Sequence, residues 1–220
     1  DVTTLMDRTG LGAADEDVDE RRAAREWNNR GALLHLDGEM AHARDAYETA
    51  LRHDPRNATA LNNLGFTFAQ EGRFDEAIAH YEQAIAADPT RAMAHANLGI
   101  ARAAIGDIDA AREALGKAVR LDPESGLAWD NLGRLMLATG DLAGAENAWR
   151  VALTLAPDDA PLLTALGTVL AARGQLAEAI GVLEEAVARA PASPTAWAQL
   201  GVVRFMRSDF GSAEDALRHA

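Results

Sequence analysis

An asparagine recurs every 34 residues in this chain, at Asn29, Asn63, Asn97 and Asn131. A fixed period of this length is typical of stacked helical hairpins, so the four side chains are expected to form a row along one face of the stack. Each carboxamide offers one acceptor oxygen and two donor hydrogens, which lets it exchange hydrogen bonds with both sides of a peptide group. The row therefore predicts a surface that holds an extended peptide by its backbone, although duplication of one unit would also copy a surface asparagine.

The residue types that catalysis and metal binding require are absent or wrongly spaced. The chain has no cysteine, which excludes disulfides, thiolate metal sites and a cysteine nucleophile. Asp15, Asp17, Asp19 and Glu26 have the spacing of a calcium loop, but Glu20 stands where the sharp-turn glycine is needed, so a helix N-terminus is the better interpretation. No paired metal-binding spacing occurs among the histidines, which are interpreted as surface residues: His35, His42, His53, His80, His95 and His219. We expect no enzyme activity, no metal and no cofactor.

Composition is that of an ordinary soluble globular protein. The chain has 220 residues, of which 48% are hydrophobic and 25% charged, as in ordinary globular proteins. Its net charge of -13 argues against a nucleic-acid partner, because such partners select a basic surface. No apolar run is long enough to span a membrane, and no signal peptide is visible. We therefore expect a protein or peptide partner, no membrane insertion and a cytoplasmic location, and the arginine and alanine bias suggests a bacterial source.

The 34-residue period divides the chain into six units without insertions. The eighth position is always Gly and the twentieth and twenty-seventh are always Ala, which lets neighbouring helices approach closely. The thirty-second position is Pro in the first five units, where it ends the second helix. Turn glycines follow the first helix in five units, and Ser208 replaces the sixth. The predicted units span residues 24–57, 58–91, 92–125, 126–159, 160–193 and, truncated, 194–220.

This W/L-x-x-L-G…A…Y/L…A…P pattern resembles the tetratricopeptide repeat (TPR) family over residues 24–220. The departures are few: Arg30 replaces the leucine before Gly31, and His95 replaces the large apolar fourth residue of the third unit. The resemblance implies an all-α solenoid of antiparallel helix pairs that form a right-handed superhelix, with the first helices lining a concave groove. The asparagine row is similar to the asparagine ladder of the TPR domains of O-linked N-acetylglucosamine transferase and kinesin light chain, which implies bidentate bonds to ligand backbone.

The family pattern also implies which other residues face the groove. Phe66, Ile100 and Leu137 are equally consistent with ordinary packing between helices. The full set of candidates beside the asparagine row is Asn62, Phe66, Met93, Ile100, Leu127, Asp130, Arg134 and Leu137. A carboxylate clamp for acidic chaperone tails is not expected, because the lysine and arginine that it needs are missing.

Residues 1–23 lie outside the repeat and are predicted to form an acidic N-terminal arm, with a helix extension from Asp15. Residues 1–14 have no clear period and are expected to be extended. Two alternatives to a peptide-binding scaffold stay open. The chain could self-assemble into a homo-oligomer through this arm or through an uncapped end, or it could be the substrate-recruiting part of a larger enzyme.

Overall fold

The computed structural model describes the backbone of residues 11–220 and the side chains from Asp17 onwards. Residues 1–10 of the predicted arm lie outside the described residues. The described chain is all-α, as predicted, and divides into two compact units, residues 1–111 and 112–220. The boundary falls inside one helix, between residues 111 and 112.

The first compact unit holds two complete helical hairpins, a further helix and the start of the next one. Its helices are α1 (Leu11–Leu36), α2 (Met40–His53), α3 (Ala58–Gln70), α4 (Phe74–Ala87), α5 (Ala92–Ala104) and the beginning of α6 (Ile108–Leu121). Helix α1 begins at Leu11, so the helix extension starts earlier than the predicted Asp15, and residues 11–14 are helical where an extended arm was expected. Its core is formed by Tyr47, Leu64, Phe68, Ile78 and Tyr81, together with small alanines.

The second compact unit continues the same alternation of first and second helices. Its complete helices are α7 (Gly126–Ala138), α8 (Leu142–Leu155), α9 (Ala160–Ala172), α10 (Leu176–Arg189), α11 (Pro194–Met206) and α12 (Phe210–Arg218). Large side chains such as Trp149, Leu170 and Leu183 are fully buried in its core.

The small residues of the repeat act as the sequence predicts. A Cβ atom on Gly65 would lie 2.8 Å from Cε1 of Tyr81, and one on Gly133 would lie 2.9 Å from Cε2 of Trp149. The glycine at the eighth position therefore makes room for the large residue of the second helix in the same hairpin. The five turn glycines have φ between 74° and 82°, and Ser208 adopts φ 67° in the sixth turn. A left-handed turn thus closes every hairpin, which explains the glycines.

Contacts between hairpins place the first helices side by side. In the first compact unit, α3 contacts both α1 and α5, whereas α4 packs on the next first helix, α5. Helices α9 and α11 are neighbours in the same way in the second compact unit. The first helices α3, α5, α7, α9 and α11 begin at residues that the repeat register marks as first positions. Within each compact unit, side chains at equivalent positions of first helices in contact are therefore brought close together.

Candidate peptide-binding surface

The asparagines of the first compact unit form a hydrogen-bonded chain between helices. Nδ2 of Asn63 donates to Oδ1 of Asn28 at 3.0 Å, which links α3 to α1. Nδ2 of Asn97 donates to Oδ1 of Asn62 at 3.0 Å, which links α5 to α3. Asn62 also donates to Oδ1 of Asn63, at 3.4 Å. The sixth position of one repeat is therefore bonded to the fifth position of the repeat before it.

These bonds use only part of the hydrogen-bonding capacity of Asn63 and Asn97, whose side chains we call the ladder amides. A carboxamide has two N–H donors and an oxygen that accepts two hydrogen bonds. Asn97 uses one N–H on Asn62, and Asn63 uses one N–H on Asn28 and accepts one long bond from Asn62. Both side chains are half-buried rather than enclosed. Among the residues that the structure describes, each of the two therefore keeps at least one N–H and one acceptor position of its oxygen without a partner.

Apolar side chains lie on the same helix faces as these two asparagines. Met93 and Ile100 are one turn either side of Asn97 on α5, and Phe66 is one turn after Asn63 on α3. Phe66 is 37% exposed, Ile100 39% and Met93 61%. We call Asn63, Phe66, Met93, Asn97 and Ile100 the first-helix surface. It offers amide groups between accessible apolar side chains.

The remaining candidates of the first compact unit have different environments. Asn29 is exposed. Asn62 is only 3% exposed, so its amide serves its two asparagine neighbours. The ring of His35 stacks at a tilt on Phe66, with 5.3 Å between their centroids, which holds one side of the Phe66 ring in place.

The candidates of the second compact unit are organised by their own helix. Nδ2 of Asn131 donates to the backbone oxygen of Leu127 at 2.8 Å. Asp130 accepts one bond from Nε1 of the buried Trp149 and one from Nε of Arg134, both at 2.8 Å. Leu127 and Arg134 are exposed, while Leu137 packs against the core of this unit. Both carboxylate oxygens of Asp130 therefore accept hydrogen bonds from residues of its own compact unit.

The first helices after α1 carry almost no charge. Helices α3 and α9 have no charged side chain. Helices α5, α7 and α11 together carry four charged side chains, and all four lie in ion pairs. Arg102 pairs with Glu82 and Asp107, Arg204 pairs with Glu184, and Asp130 pairs with Arg134. The excess of acidic residues therefore belongs to the arm, the second helices and the turns. The first-helix surface is therefore nearly neutral.

Two residues show roles that the sequence analysis missed. Asn28 accepts a hydrogen bond from Asn63. The sequence feature that could have revealed this role is the 34-residue spacing between Asn28 and Asn62, which occupy the same repeat position. His95 was wrongly interpreted as a surface residue: it is buried, and its Nε2 lies 3.1 Å from the backbone oxygen of Pro89. Nε1 of Trp129 donates to Pro123 in the equivalent place, at 2.9 Å. His95 thus replaces a tryptophan by making the same bond.

Neither a metal site nor a membrane-spanning helix is found among the described residues. Within the part of the chain that the structure describes, no cluster of three or more histidine, aspartate or glutamate side chains could hold a metal ion. None of the described helices combines the length and the apolar character that crossing a membrane requires.

The helix pairs, the left-handed turns and the small-to-large contacts within each hairpin define a TPR protein, as the sequence pattern predicted. The chain belongs to the family of the cilia and flagella-associated protein 70 C-terminal domain, whose model matches residues 3–220. No curated protein has a significantly similar sequence.

Solved structures agree with this assignment. The structure of PilF from Pseudomonas aeruginosa is 20% identical over 90% of both chains, with a TM-score of 0.80. YrrB, described as a TPR protein with an unusual peptide-binding site, is 21% identical over 80% of this chain and 91% of its own, with a TM-score of 0.69. MamA is 26% identical over 72% of this chain and 93% of its own, with a TM-score of 0.65. The low identities of PilF and YrrB show a shared fold only.

Proposed function

We propose that this protein is a non-enzymatic scaffold whose first-helix surface binds an extended, largely uncharged segment of another protein. Asn63 and Asn97 hold the backbone of that segment, and Phe66, Met93 and Ile100 contact its apolar side chains. The observation that carries the proposal is the pair of half-buried amides, each of which keeps at least one donor and one acceptor unused within the part of the chain that the structure describes.

Helix geometry makes this arrangement suitable for a strand-like ligand. Neighbouring helices lie about 8–10 Å apart, and an extended chain rises about 3.3 Å per residue. Asn63 and Asn97 therefore meet peptide groups roughly three residues apart. Main-chain bonding of this kind favours extended shape over a particular side-chain sequence. Leu127, Asn131 and Arg134 are proposed as a second contact surface, which belongs to the second compact unit.

The test uses an array of acetylated and amidated twelve-residue peptides, uncharged and with Leu, Val, Ile or Phe at every third position. The strongest binder becomes the probe for affinity measurements by fluorescence anisotropy. Each lost asparagine removes two neutral hydrogen bonds of about 1 kcal/mol each, or roughly 30-fold in affinity. We therefore expect the N63A/N97A variant to lose measurable binding while its circular dichroism at the assay temperature is retained. Its melting temperature should fall, because the buried Asn28 and Asn62 lose hydrogen-bond partners.

Three controls make the result specific. Asn147→Ala removes an exposed asparagine from the second helix α8 and should leave the affinity unchanged. Replacing single peptide bonds of the probe by esters removes its backbone donors and should weaken binding as the asparagine variants do. Because the surface is neutral, the affinity should be the same in low and high salt. Full binding by N63A/N97A would refute the proposal.

A further inference from the structure

Asn28 and Asn62 form hydrogen bonds with the ladder amides and are too buried to contact a ligand themselves. Asn28 and Asn62 occupy the fifth position of the first two repeats and are 7% and 3% exposed. Each accepts a hydrogen bond at 3.0 Å from the ladder asparagine of the following repeat, Asn63 and Asn97 respectively.

Packing alone does not explain an amide at this position. The fifth position is Ala96 in the third repeat and Ala198 in the sixth, so the helix pair accommodates an apolar side chain there. Thr164 is the residue at this position in the fifth repeat, and its hydroxyl is satisfied within its own helix, where it donates to the backbone oxygen of Ala160. A buried amide is costly unless its donors and acceptors are paired. Asn62 meets this requirement only through the two ladder amides.

We infer that Asn62, and Asn28 in the same way, is a positioning residue that fixes the orientation of the neighbouring ladder amide before a peptide binds. This inference rests on the proposed function. A free carboxamide can rotate and present either its nitrogen or its oxygen in a given direction. With Nδ2 of Asn97 bonded to Asn62, one N–H and the oxygen of Asn97 are left in a defined arrangement for a peptide group.

Asn63 and Asn97 share this arrangement, because each gives Nδ2 to the repeat before it. A peptide then binds amides that are already ordered and loses less conformational freedom on binding. Asn131 follows a repeat with alanine at the fifth position, and its Nδ2 bonds its own helix instead. The positioned part of the ladder is therefore Asn63 and Asn97.

Asn62→Leu tests the inference, since leucine has a similar size and cannot form either bond. In the free protein, hydrogen exchange measured by NMR should be faster for one Nδ2 proton of Asn97 in the variant than in the wild type. With the twelve-residue probe peptide, the affinity of the variant should fall about 5-fold, the value of roughly one hydrogen bond. Thr164→Val is the matched control at the same repeat position and should change neither measurement.

A double-mutant cycle separates positioning from damage to the fold. Asn62→Leu should lose most of its effect on affinity in an Asn97→Ala background, where the side chain that it positions is gone. An equal loss in both backgrounds, or unchanged exchange of the Asn97 protons, would overturn the inference. If N63A/N97A binds the probe fully, the proposed function fails instead, and the exchange measurement still decides whether Asn62 orders Asn97.

Discussion

Two glycines in the fifth repeat should respond in opposite directions to the same substitution. Both lie inside helices, where alanine is favoured over glycine by about 1 kcal/mol. A Cβ on Gly181 of α10 would meet no atom within 4 Å, so Gly181→Ala should raise the free energy of unfolding by about that amount. A Cβ on Gly167 of α9 would lie 2.5 Å from Cγ of the fully buried Leu183. Overpacking of this kind costs about 1–3 kcal/mol, which cancels or exceeds the helical gain.

The two variants are compared by urea and thermal unfolding followed by circular dichroism. A repeat array need not unfold in a single step, so the shift of the midpoint relative to wild type is the quantity to compare. For a domain of this size, 1 kcal/mol corresponds to about 2–4 °C in melting temperature. Gly181→Ala should melt higher than wild type by this amount, and Gly167→Ala lower or unchanged. In a Leu183→Ala background the clash disappears and Gly167→Ala should become stabilising. A rise for Gly167→Ala equal to that for Gly181→Ala would refute the small-to-large explanation of the repeat.

Three further predictions concern single residues. Ser208 has a left-handed backbone, which costs a non-glycine residue about 1–2 kcal/mol. Ser208→Gly should therefore raise the melting temperature, and Gly174→Ser should lower it. A shift in the same direction for both variants would contradict this explanation. Burial lowers the pKa of His80, so its contribution to stability is full above its unfolded pKa of about 6.5 and is lost as the pH falls below that value. Urea midpoints measured from pH 7.5 to pH 5 should therefore decline less in His80→Gln than in wild type, and parallel curves would exclude the effect. Glu146 is buried and pairs with Arg150 and Arg173, whose side chains are 47% and 36% exposed. Because water can solvate both guanidinium groups once the carboxylate is removed, Glu146→Ala should lower the free energy of unfolding in urea by only about 1 kcal/mol, and a loss of about 3 kcal/mol or more would contradict this.

The sequence predicted the features that repeat within one hairpin. The phase of the helices, the turn glycines and the small residues opposite Tyr81 or Trp149 all follow from steric requirements that each unit meets by itself. The hydrogen bonds between repeats were not predicted. The bond between Asn28 and Asn63 joins residues 35 apart, and it depends on how one first helix lies against the next. A pattern read one unit at a time does not contain that information.

His95 shows why a departure from the pattern needs the structure to be understood. In place of tryptophan, a histidine suggests a loss of packing at the fourth position. The structure shows that a ring at this position can bond the carbonyl group of the proline six residues earlier, as Trp129 and Trp197 do, although leucine fills the position in the second and fifth repeats without such a bond. Histidine keeps the ring nitrogen and gives up part of the apolar volume. The relevant signal, a fixed offset between proline and a ring that carries nitrogen, is present in the sequence but is not part of the apolar pattern.

The separation of charge from the first helices bears on how a partner would be selected. A protein of net charge -13 repels acidic chains at long range and attracts basic ones. The first-helix surface itself is neutral, so charge affects the association rate of a partner more than its dissociation rate. Selection at the surface then depends on an extended backbone and on apolar side chains that fit beside Phe66, Met93 and Ile100. A basic segment should associate faster than a neutral one of the same apolar pattern, with little difference in dissociation rate. Measuring both rates for the probe peptide and for a version with two flanking lysines would separate these contributions, and a large change in the dissociation rate would place charged groups of the protein in contact with the bound segment.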